Sequence, residues 1–198
     1  MRIVLSGPPS VGKSTQGRIA AERLGVPHVS SGALIRERAA SGDPAAVALL
    51  RRVSDGSLAP SDTITAMVLE RLGRPDCADG FVLDGFPRKP EEASALLDAL
   101  GTAGLDAFLV LEASPERLMA RVMERSASSG RPDDDPAVFP HRIAVYMGQT
   151  TEVARVMAGH DVPVVRVDAE PEWPVVAESV RTALDQLGDS PAPARMAG

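Results

Sequence analysis

The segment from Arg2 to Leu24 constrains the fold of this chain more than any other. An apolar run, Arg2 to Leu5, leads into Gly7-Pro-Pro-Ser-Val-Gly12-Lys13-Ser14, and helical periodicity continues from Gly12 to Leu24. A glycine-rich turn between a strand and a helix exposes consecutive backbone N–H groups next to the unsatisfied N–H groups of the helix, which together bind phosphate. In such a loop Lys13 reaches the outer phosphates and the Ser14 hydroxyl can ligate Mg²⁺. The alternative, a purely structural turn, is disfavoured because one of only two lysines in the chain lies here.

Other short apolar runs alternate with helical segments, which predicts an α/β fold with a parallel sheet covered on both faces. Ser114-Pro115 is a helix start, with the helix reaching about Arg125, and Asp135-Pro136 is expected to start a long helix to about Ala158. Ligands bind at the carboxyl ends of the strands in such sheets. The additional strand candidates are 81–83, 107–111, 162–167 and, more weakly, 27–29.

Two segments interrupt the alternation. Residues 30–73 contain helices separated by Gly-rich turns at 42–44 and 56–60, which indicates a helical insertion. Residues 126–136, SASSGRPDDDP, form a polar loop between two helices, and the last eleven residues, 188–198, have the composition of a frayed tail.

Composition excludes several classes of protein. The chain has 27 acidic and 21 basic residues and a net charge of −6, the wrong sign for a surface that grips nucleic acid mainly through its phosphates. Cys77 is the single cysteine, so neither an internal disulfide nor a thiolate zinc cluster can form. No apolar stretch approaches the roughly 20 residues of a membrane span. We therefore expect a cytoplasmic protein without a nucleic-acid or membrane partner, and we also expect it to be a monomer.

Two further patterns indicate phosphate chemistry. Asp84 ends the run Phe81-Val82-Leu83-Asp84, where a carboxylate at a strand end supports Mg²⁺, although it would also suit a turn cap. Arg117, Arg121 and Arg125 share one helix face, where like charges repel by roughly 0.2 to 0.5 kcal/mol per pair. Such a stripe is most useful when it meets an anion, although a single arginine there would more often face solvent.

Several ordered motifs give the chain a resemblance to the adenylate kinases, within the nucleoside monophosphate kinases of the P-loop class. The motifs are GPPSVGKSTQ at 7–16, SSGALIR at 30–36, GSLAPSD at 56–62, GFVLDGFPR at 80–88, GRPDDDP at 130–136 and HRIAVY at 141–146. The resemblance spans residues 1–187 and implies a three-layer α/β/α P-loop fold with a five-stranded parallel sheet. The implied parts are a core at 1–29, 74–125 and 136–187, a monophosphate-binding lobe at 30–73, and a lid at 126–136 in the short, zinc-free form.

The resemblance also implies roles for individual residues. It places Lys13, Arg88, Arg125, Arg131 and Arg142 around the transferred phosphoryl group, with Asp133 and Asp134 pairing with these arginines as the lid closes. It assigns ATP binding to Ser10, Val11, Gly12, Lys13, Ser14, Thr15, Arg121, Arg125 and Pro171, and Mg²⁺ to Ser14 and Asp84. It assigns the acceptor monophosphate to Ser31, Gly32, Arg36, Ser57, Leu58, Ala59, Gly85, Phe86, Arg88, Glu92, Arg131 and Arg142.

Four positions depart from the family pattern. Ser14 replaces a Gly and offers an extra metal ligand, Ala33 replaces an acidic residue, and Pro171 lacks the N–H of a Gly that touches the ATP base in relatives. Glu92 stands where the family usually has a Gln that reads AMP. An ionised Glu only accepts hydrogen bonds, so it leaves adenine N1 unpaired and suits guanine or cytosine amino groups better, unless it is protonated or the local turn shifts register.

We expect a kinase that catalyses ATP + AMP ⇌ 2 ADP with Mg²⁺. The acceptor oxygen is already ionised, so no general base is needed and His28, His141 and His160 are not expected to act as bases. The acceptor could instead be CMP, UMP or GMP, because of Glu92. Less favoured alternatives are a non-catalytic nucleotide-binding regulator and a small-metabolite kinase. We further expect the lobe and the lid to move as hinged bodies about residues near Gly42, Gly73 and 126–130.

Overall fold

The structure, a computed structural model, describes residues 1–54, 56–101, 104–126 and 135–189. Its centre is a five-stranded, fully parallel sheet in the order β2-β3-β1-β4-β5. The strands are β1 Arg2–Ser6, β2 His28–Ser30, β3 Phe81–Asp84, β4 Ala107–Glu112 and β5 Val164–Asp168. This confirms the predicted α/β fold.

Eight helices lie in the described ranges. They are α1 Lys13–Leu24, α2 Ser31–Ala40, α3 Pro44–Ser54, α4 Ser61–Leu72, α5 Pro90–Leu100, α6 Pro115–Ser126, α7 Phe139–Gly159 and α8 Trp173–Asp189. A 3₁₀ turn, Pro75–Cys77, precedes β3. The three helices α2 to α4 follow β2 without an intervening strand, as expected for the insertion.

Alternate residues of each strand supply two separate apolar cores, because successive side chains of a strand point to opposite faces. Ile3 and Leu5 of β1 pack with apolar residues of α1, α6 and α8. Val4, between them, packs with residues of α5, α7 and the inserted helices. The sheet is therefore covered on both faces, and its strands can be apolar throughout.

The starts of α6 and α7 show where the local sequence is sufficient to predict the beginning of a helix and where it is not. The Ser114 hydroxyl accepts the Arg117 amide at 3.1 Å, the cap predicted for α6. The prediction that Asp135-Pro136 opens the next helix is wrong, because Asp135 Oδ1 instead accepts the Ala137 amide at 2.8 Å and closes a turn. Helix α7 begins at Phe139, and α8 includes Gly188 and Asp189, which had been assigned to the frayed tail. Residues 190–198 lie outside the described part of the chain.

Candidate active site

The loop between β1 and α1 has a backbone that requires glycine at its first position. Gly7 has φ +149°, and a Cβ there would lie 2.7 Å from the Leu111 carbonyl oxygen and 2.9 Å from Val11 Cγ1. Gly12 has φ +102° and immediately precedes the first turn of α1. The loop can therefore curl around an anion while the N–H groups of α1 face the same point.

Lys13 is fixed inside this loop by backbone oxygens. Its Nζ donates to the carbonyls of Gly7 and Pro8, both at 2.8 Å. Burial lowers the pKa of Lys13 to about 7, and the positive charges of Arg88, Arg142 and Arg125 act in the same direction while Asp84 opposes them. An anion beside Nζ would favour the charged ammonium, so the site is prepared for a polyphosphate.

A large cleft opens above this loop at the carboxyl edge of the sheet. Among the residues expected to bind ATP or the transferred group, it is lined by Ser10, Val11, Gly12, Lys13, Ser14, Thr15, Arg88, Arg121, Arg125 and Arg142. The cleft thus brings cations from four different parts of the chain to one volume: the phosphate loop, the segment after β3, α6 and α7. Predicted Arg131, together with Asp133 and Asp134, lies outside the described residues.

Arg121 is held at one side of the cleft by three carbonyl groups. Its guanidinium donates to the oxygens of Val11 at 3.2 Å, Ala169 at 2.8 Å and Pro171 at 2.7 Å. Pro171 itself does not line the cleft and contributes through its carbonyl. Arg117, one turn earlier, pairs instead with the Glu172 carboxylate at 2.5 Å. The anion that pairs with Arg117 is therefore a carboxylate of the protein itself, that of Glu172.

A second, adjoining pocket lies between the inserted helices and the core. It is lined by Ser31, Gly32, Arg36, Ser57, Leu58, Ala59, Gly85, Phe86, Arg88, Glu92 and Arg142, the residues expected to bind the acceptor apart from Arg131. Arg88 Nε donates to the Gly85 carbonyl at 2.8 Å. Gly85 has φ +78°, and a Cβ there would lie 2.5 Å from Ser31 Oγ, so this close approach needs glycine. Arg88 and Arg142 line both the pocket and the cleft, so the two cavities adjoin at these guanidinium groups.

Glu92 is a buried carboxylate that lines this second pocket. It is 2% exposed, and its Oε2 accepts the Arg88 amide at 2.7 Å. Burial raises the pKa of Glu92, although the Arg88 amide, Ser61 and the charges of Lys89 and Arg88 oppose that shift. Glu92, in the first turn of α5, is therefore easier to protonate than an ordinary glutamate.

Asp84 ends β3 directly beside the phosphate loop, in register with Leu5 of β1 and Ser30 of β2. Its Oδ2 lies 2.6 Å from His28 Nε2, and its Oδ1 accepts the Ser30 hydroxyl at 3.2 Å. Burial raises the pKa of Asp84, but the His28 hydrogen bond and the charges of His28 and Lys13 outweigh it, so the net shift is downward. Asp84 is therefore held as an anion.

The side-chain oxygen atoms of Asp84 and Ser14 are suitable ligands for Mg²⁺. An ionised carboxylate and the Ser14 hydroxyl are hard ligands, and the hydroxyl also interacts with that carboxylate. Within the described ranges no group of three or more His, Cys, Asp and Glu residues could form a metal cage. Mg²⁺ in phosphotransfer sites needs only one or two protein ligands, because phosphates and waters supply the others.

His28, Gln16 and Trp173 are among the residues in or next to the site that were not predicted as site residues. His28, dismissed as a base, contacts Asp84, and Gln16 and Trp173 line the cleft. Gln16 is buried, and its Nε2 donates to the Trp173 carbonyl at 3.2 Å. His28 and Trp173 lie outside the motifs, and Gln16 ends the motif at 7–16 without a role assigned to it, so spatial proximity identifies all three.

Comparison with known proteins gives a consistent result. The family described as adenylate kinase matches residues 5–160. The adenylate kinase of Corynebacterium glutamicum is 38% identical over 190 residues, covering 95% of this chain and 99% of that protein. The adenylate kinase of Mycolicibacterium smegmatis is 40% identical over 76% of this chain and 82% of its own length, and that of Kosmotoga olearia is 33% identical over 94% and 100%.

No helix in the described part of the chain is long and apolar enough to cross a membrane. The fold, the phosphate loop, the arginine-lined cleft and the agreement with these relatives lead to one assignment. The chain belongs to the adenylate kinase family and is a phosphotransferase of the nucleoside monophosphate kinase class.

Proposed function

We propose that this enzyme transfers the γ-phosphoryl group of ATP to AMP, giving two molecules of ADP, with Mg²⁺ as cofactor. The observation that carries the proposal is the pair of adjoining pockets that share Arg88 and Arg142. A donor in the cleft and an acceptor in the neighbouring pocket would meet with their phosphates between these guanidinium groups. The proposal places a triphosphate at the loop of Lys13 and a monophosphate beside Arg36 and Arg88.

The reaction needs positioning and charge stabilisation more than it needs proton transfer. An ionised oxygen of the acceptor phosphate attacks the γ-phosphorus, the new P–O bond forms, and the bond to the β-phosphate oxygen breaks. Lys13, Arg88, Arg125 and Arg142 stabilise the charge on the γ-phosphoryl oxygens. Ser14 and Asp84 would hold Mg²⁺, which when bound neutralises part of the charge on the β- and γ-phosphates. Arg131 is proposed for the same cluster on the resemblance alone.

Water has to be excluded while the phosphoryl group moves, since it would otherwise act as the acceptor. The inserted lobe, residues 30–73, supplies one wall of the acceptor pocket through Ser57, Leu58 and Ala59. Closure of this lobe and of the lid, 126–136, over the two substrates is the proposed means of exclusion.

Glu92 supports a second candidate acceptor. Its carboxylate is buried in the acceptor pocket, where an ionised oxygen would accept from the amino groups of guanine or cytosine. The raised pKa of Glu92 favours AMP, because a protonated carboxyl can donate to adenine N1 and still accept from the N6 amino group. We therefore retain AMP as the acceptor and regard GMP, CMP and UMP as the alternatives.

One experiment separates these possibilities. Initial rates of ADP formation are measured with Mg·ATP and each of AMP, GMP, CMP and UMP, for the wild type and for Glu92→Gln. We expect AMP to give the highest kcat/KM in both proteins and Glu92→Gln to sharpen the preference for it. A preference of the wild type for GMP or CMP would establish the alternative, and nucleotide binding without transfer to any acceptor would contradict the proposed function.

A further inference from the structure

The His28–Asp84 contact is a short polar interaction next to the site for which the proposed reaction has no use. The two side chains are 16% and 5% exposed, and His28 Nε2 lies 2.6 Å from Asp84 Oδ2. They belong to neighbouring strands, β2 and β3, and the bond crosses from the start of one to the end of the other. A hydrogen bond this short, on a carboxylate expected to face a metal, needs an explanation.

The bond fixes how the two carboxylate oxygens are used. Since ionised Asp84 can only accept, His28 Nε2 must carry the hydrogen. The Ser30 hydroxyl donates to the other oxygen at 3.2 Å. Two donors on opposite oxygens, both from β2, hold the plane of the carboxyl group in one orientation. Each oxygen retains acceptor capacity toward the phosphate loop.

Helix α1 has a gap where the imidazole lies. A Cβ built on Gly17 would be 2.6 Å from His28 Nε2 and 2.9 Å from its Cδ2. Any residue other than glycine would therefore displace the ring and with it the bond to Asp84. Glycine inside a helix makes the helix less stable than alanine would. The helix that presents Lys13 and Ser14 to the phosphates thus accepts a less stable residue at the point where the ring lies.

We propose that His28 is a positioning residue for Asp84: held between Gly17 of α1 and the end of β3, its Nε2–H orients the carboxylate for the Mg²⁺–nucleotide complex at Ser14. The inference rests on the proposed function, and it gives His28 no contact with substrate. Residues that orient a metal-binding carboxylate typically change metal affinity by 10- to 100-fold when they are removed.

The consequence of losing the ring follows from the charges around it. Asp84 interacts favourably with the charge of Lys13, which is otherwise bound to the Gly7 and Pro8 carbonyls. Without the His28 donor, the buried carboxylate has lost one partner and turns toward the remaining cation. Both the carboxylate and the ammonium would then be less available to a metal-bound triphosphate.

The test measures metal binding directly. Mn²⁺ is titrated into the enzyme saturated with the β,γ-imido analogue of ATP, and free Mn²⁺ is followed by electron paramagnetic resonance. The variants are His28→Leu, which removes the donor, His28→Gln, whose amide can restore it, and Gly17→Ala, which pushes the ring away. His160→Leu is the matched control, because His160 is exposed and lies directly after α7, where its ring bonds to the Val156 carbonyl of that helix.

We expect His28→Leu and Gly17→Ala to weaken Mn²⁺ binding about 10-fold. His28→Gln should stay within about 3-fold of the wild type, His160→Leu should have no effect, and KM for AMP should change less than 2-fold in every variant. Gly17→Ala keeps the test decisive if His28→Leu fails to fold, because alanine favours the helix. Wild-type Mn²⁺ affinity in Gly17→Ala, or in a folded His28→Leu, would overturn the proposal.

Two further outcomes separate this inference from the proposed function. Wild-type enzyme that binds the Mn²⁺–analogue complex in a His28-dependent way, yet phosphorylates no monophosphate, would contradict the function and leave the positioning role intact. Unchanged Mn²⁺ affinity in Asp84→Asn would overturn the positioning role even if the wild type proves fully active as an adenylate kinase. Absence of Mn²⁺–analogue binding by the wild type would overturn both.

Discussion

At the scale of single residues, the site is built from cations that backbone oxygens hold in place. Lys13 donates to two carbonyls of the loop that it serves, and Arg88 Nε donates to the Gly85 carbonyl. These bonds restrict flexible side chains before any substrate arrives. Less reorganisation is then needed when charge develops on the transferred group, which is the main requirement for electrostatic stabilisation.

Arg88→Ala tests this arrangement. We expect kcat to fall by about 10² to 10³, since one preorganised donor to the developing charge is lost. Arg155→Ala is the control, because Arg155 pairs with Glu152 on the exposed side of α7 and should retain wild-type kcat. Steady-state rates, with circular dichroism to verify the fold, provide the measurement. A loss of less than 3-fold for Arg88→Ala would exclude the role.

Glu92 gives a pH-dependent prediction. Burial raises its folded-state pKa above the ordinary value of 4.5, so the stability associated with its protonated form is lost as pH rises through that raised value. Glu92→Gln should be more stable than the wild type at pH 8, because it avoids the cost of burying an ionised carboxylate. At pH 4.5 the difference should shrink toward zero. Urea unfolding at the two pH values measures it, and a difference independent of pH would contradict the assignment.

The position of a residue in the site could be predicted from the sequence wherever a short motif fixes the backbone conformation. The positions of Lys13, Arg88 and Gly85 follow from short glycine-containing segments whose geometry depends on neighbours in sequence. His28, Gln16 and Trp173 could not be predicted, because their contacts join residues 56 and 157 positions apart in the chain. Local sequence patterns do not predict such contacts, because they depend on how two distant elements pack against each other.

At the scale of secondary-structure elements, the acceptor lobe meets helix α7 through a glycine. Gly56 has φ +86°, and a Cβ there would lie 2.9 Å from Val138 Cγ1, 3.1 Å from Arg142 Cγ and 3.1 Å from His141 Cδ2. This is the point at which the loop after α3 approaches the start of α7, which carries Arg142 into both pockets. A larger residue would separate the two elements.

Gly56→Ala is therefore expected to raise the KM for the acceptor about 10-fold and to lower kcat, because displacing Arg142 by even 1 Å has effects of this order or larger. Gly42→Ala is a matched control, since Gly42 has the same φ of +86° but nothing within 4 Å of an added Cβ. Both variants carry the same backbone strain, so any additional effect of Gly56→Ala comes from the contact with α7. Equal kinetic effects in the two variants would show that strain, and not contact with α7, is responsible.

The elements also show the limits of pattern reading. The three interior strands of this two-sided sheet are short and mainly apolar, and the predicted ends of all five strands agree with the structure to within two residues. The start of α7 was placed three residues early, because Asp-Pro is equally suited to open a helix and to close a turn. The choice depends on Pro140, which fits the first turn of a helix beginning at Phe139.

At the scale of the whole molecule, the sheet order places the site. Strand β1 lies between β3 and β4, so the phosphate loop after β1 lies next to Asp84 after β3, and Gly7 packs against Leu111 of β4. The insertion after β2 then reaches the same edge from one side, and α6 after β4 reaches it from the other. Function at this edge is a consequence of topology, since all strands are parallel and their carboxyl ends coincide.

The cleft and the acceptor pocket share Arg88 and Arg142 but are otherwise lined by different parts of the chain. We therefore expect the lobe, residues 30–73, to move toward the core when substrates occupy both cavities. Nitroxide labels on Ala45→Cys in α3 and Glu116→Cys in α6, both exposed, report the separation across the cleft. A bisubstrate inhibitor, two adenosines joined by a polyphosphate, should shorten the distance measured by pulsed electron paramagnetic resonance. In the reference pair, Asp98→Cys and Glu116→Cys, both labels lie on the surface of the segment 74–125, outside the lobe and the lid. The distance between them should not change.

ATP alone or AMP alone should produce a smaller shift, because each fills only one side of the shared guanidinium groups. The buried Cys77 is replaced by Ser in all labelled proteins so that only the introduced thiols react. Identical distance distributions with and without the inhibitor would mean that the lobe is already in place before the substrates bind. The exclusion of water would then have to come from the lid alone, and Gly56→Ala would lose its expected effect on acceptor binding.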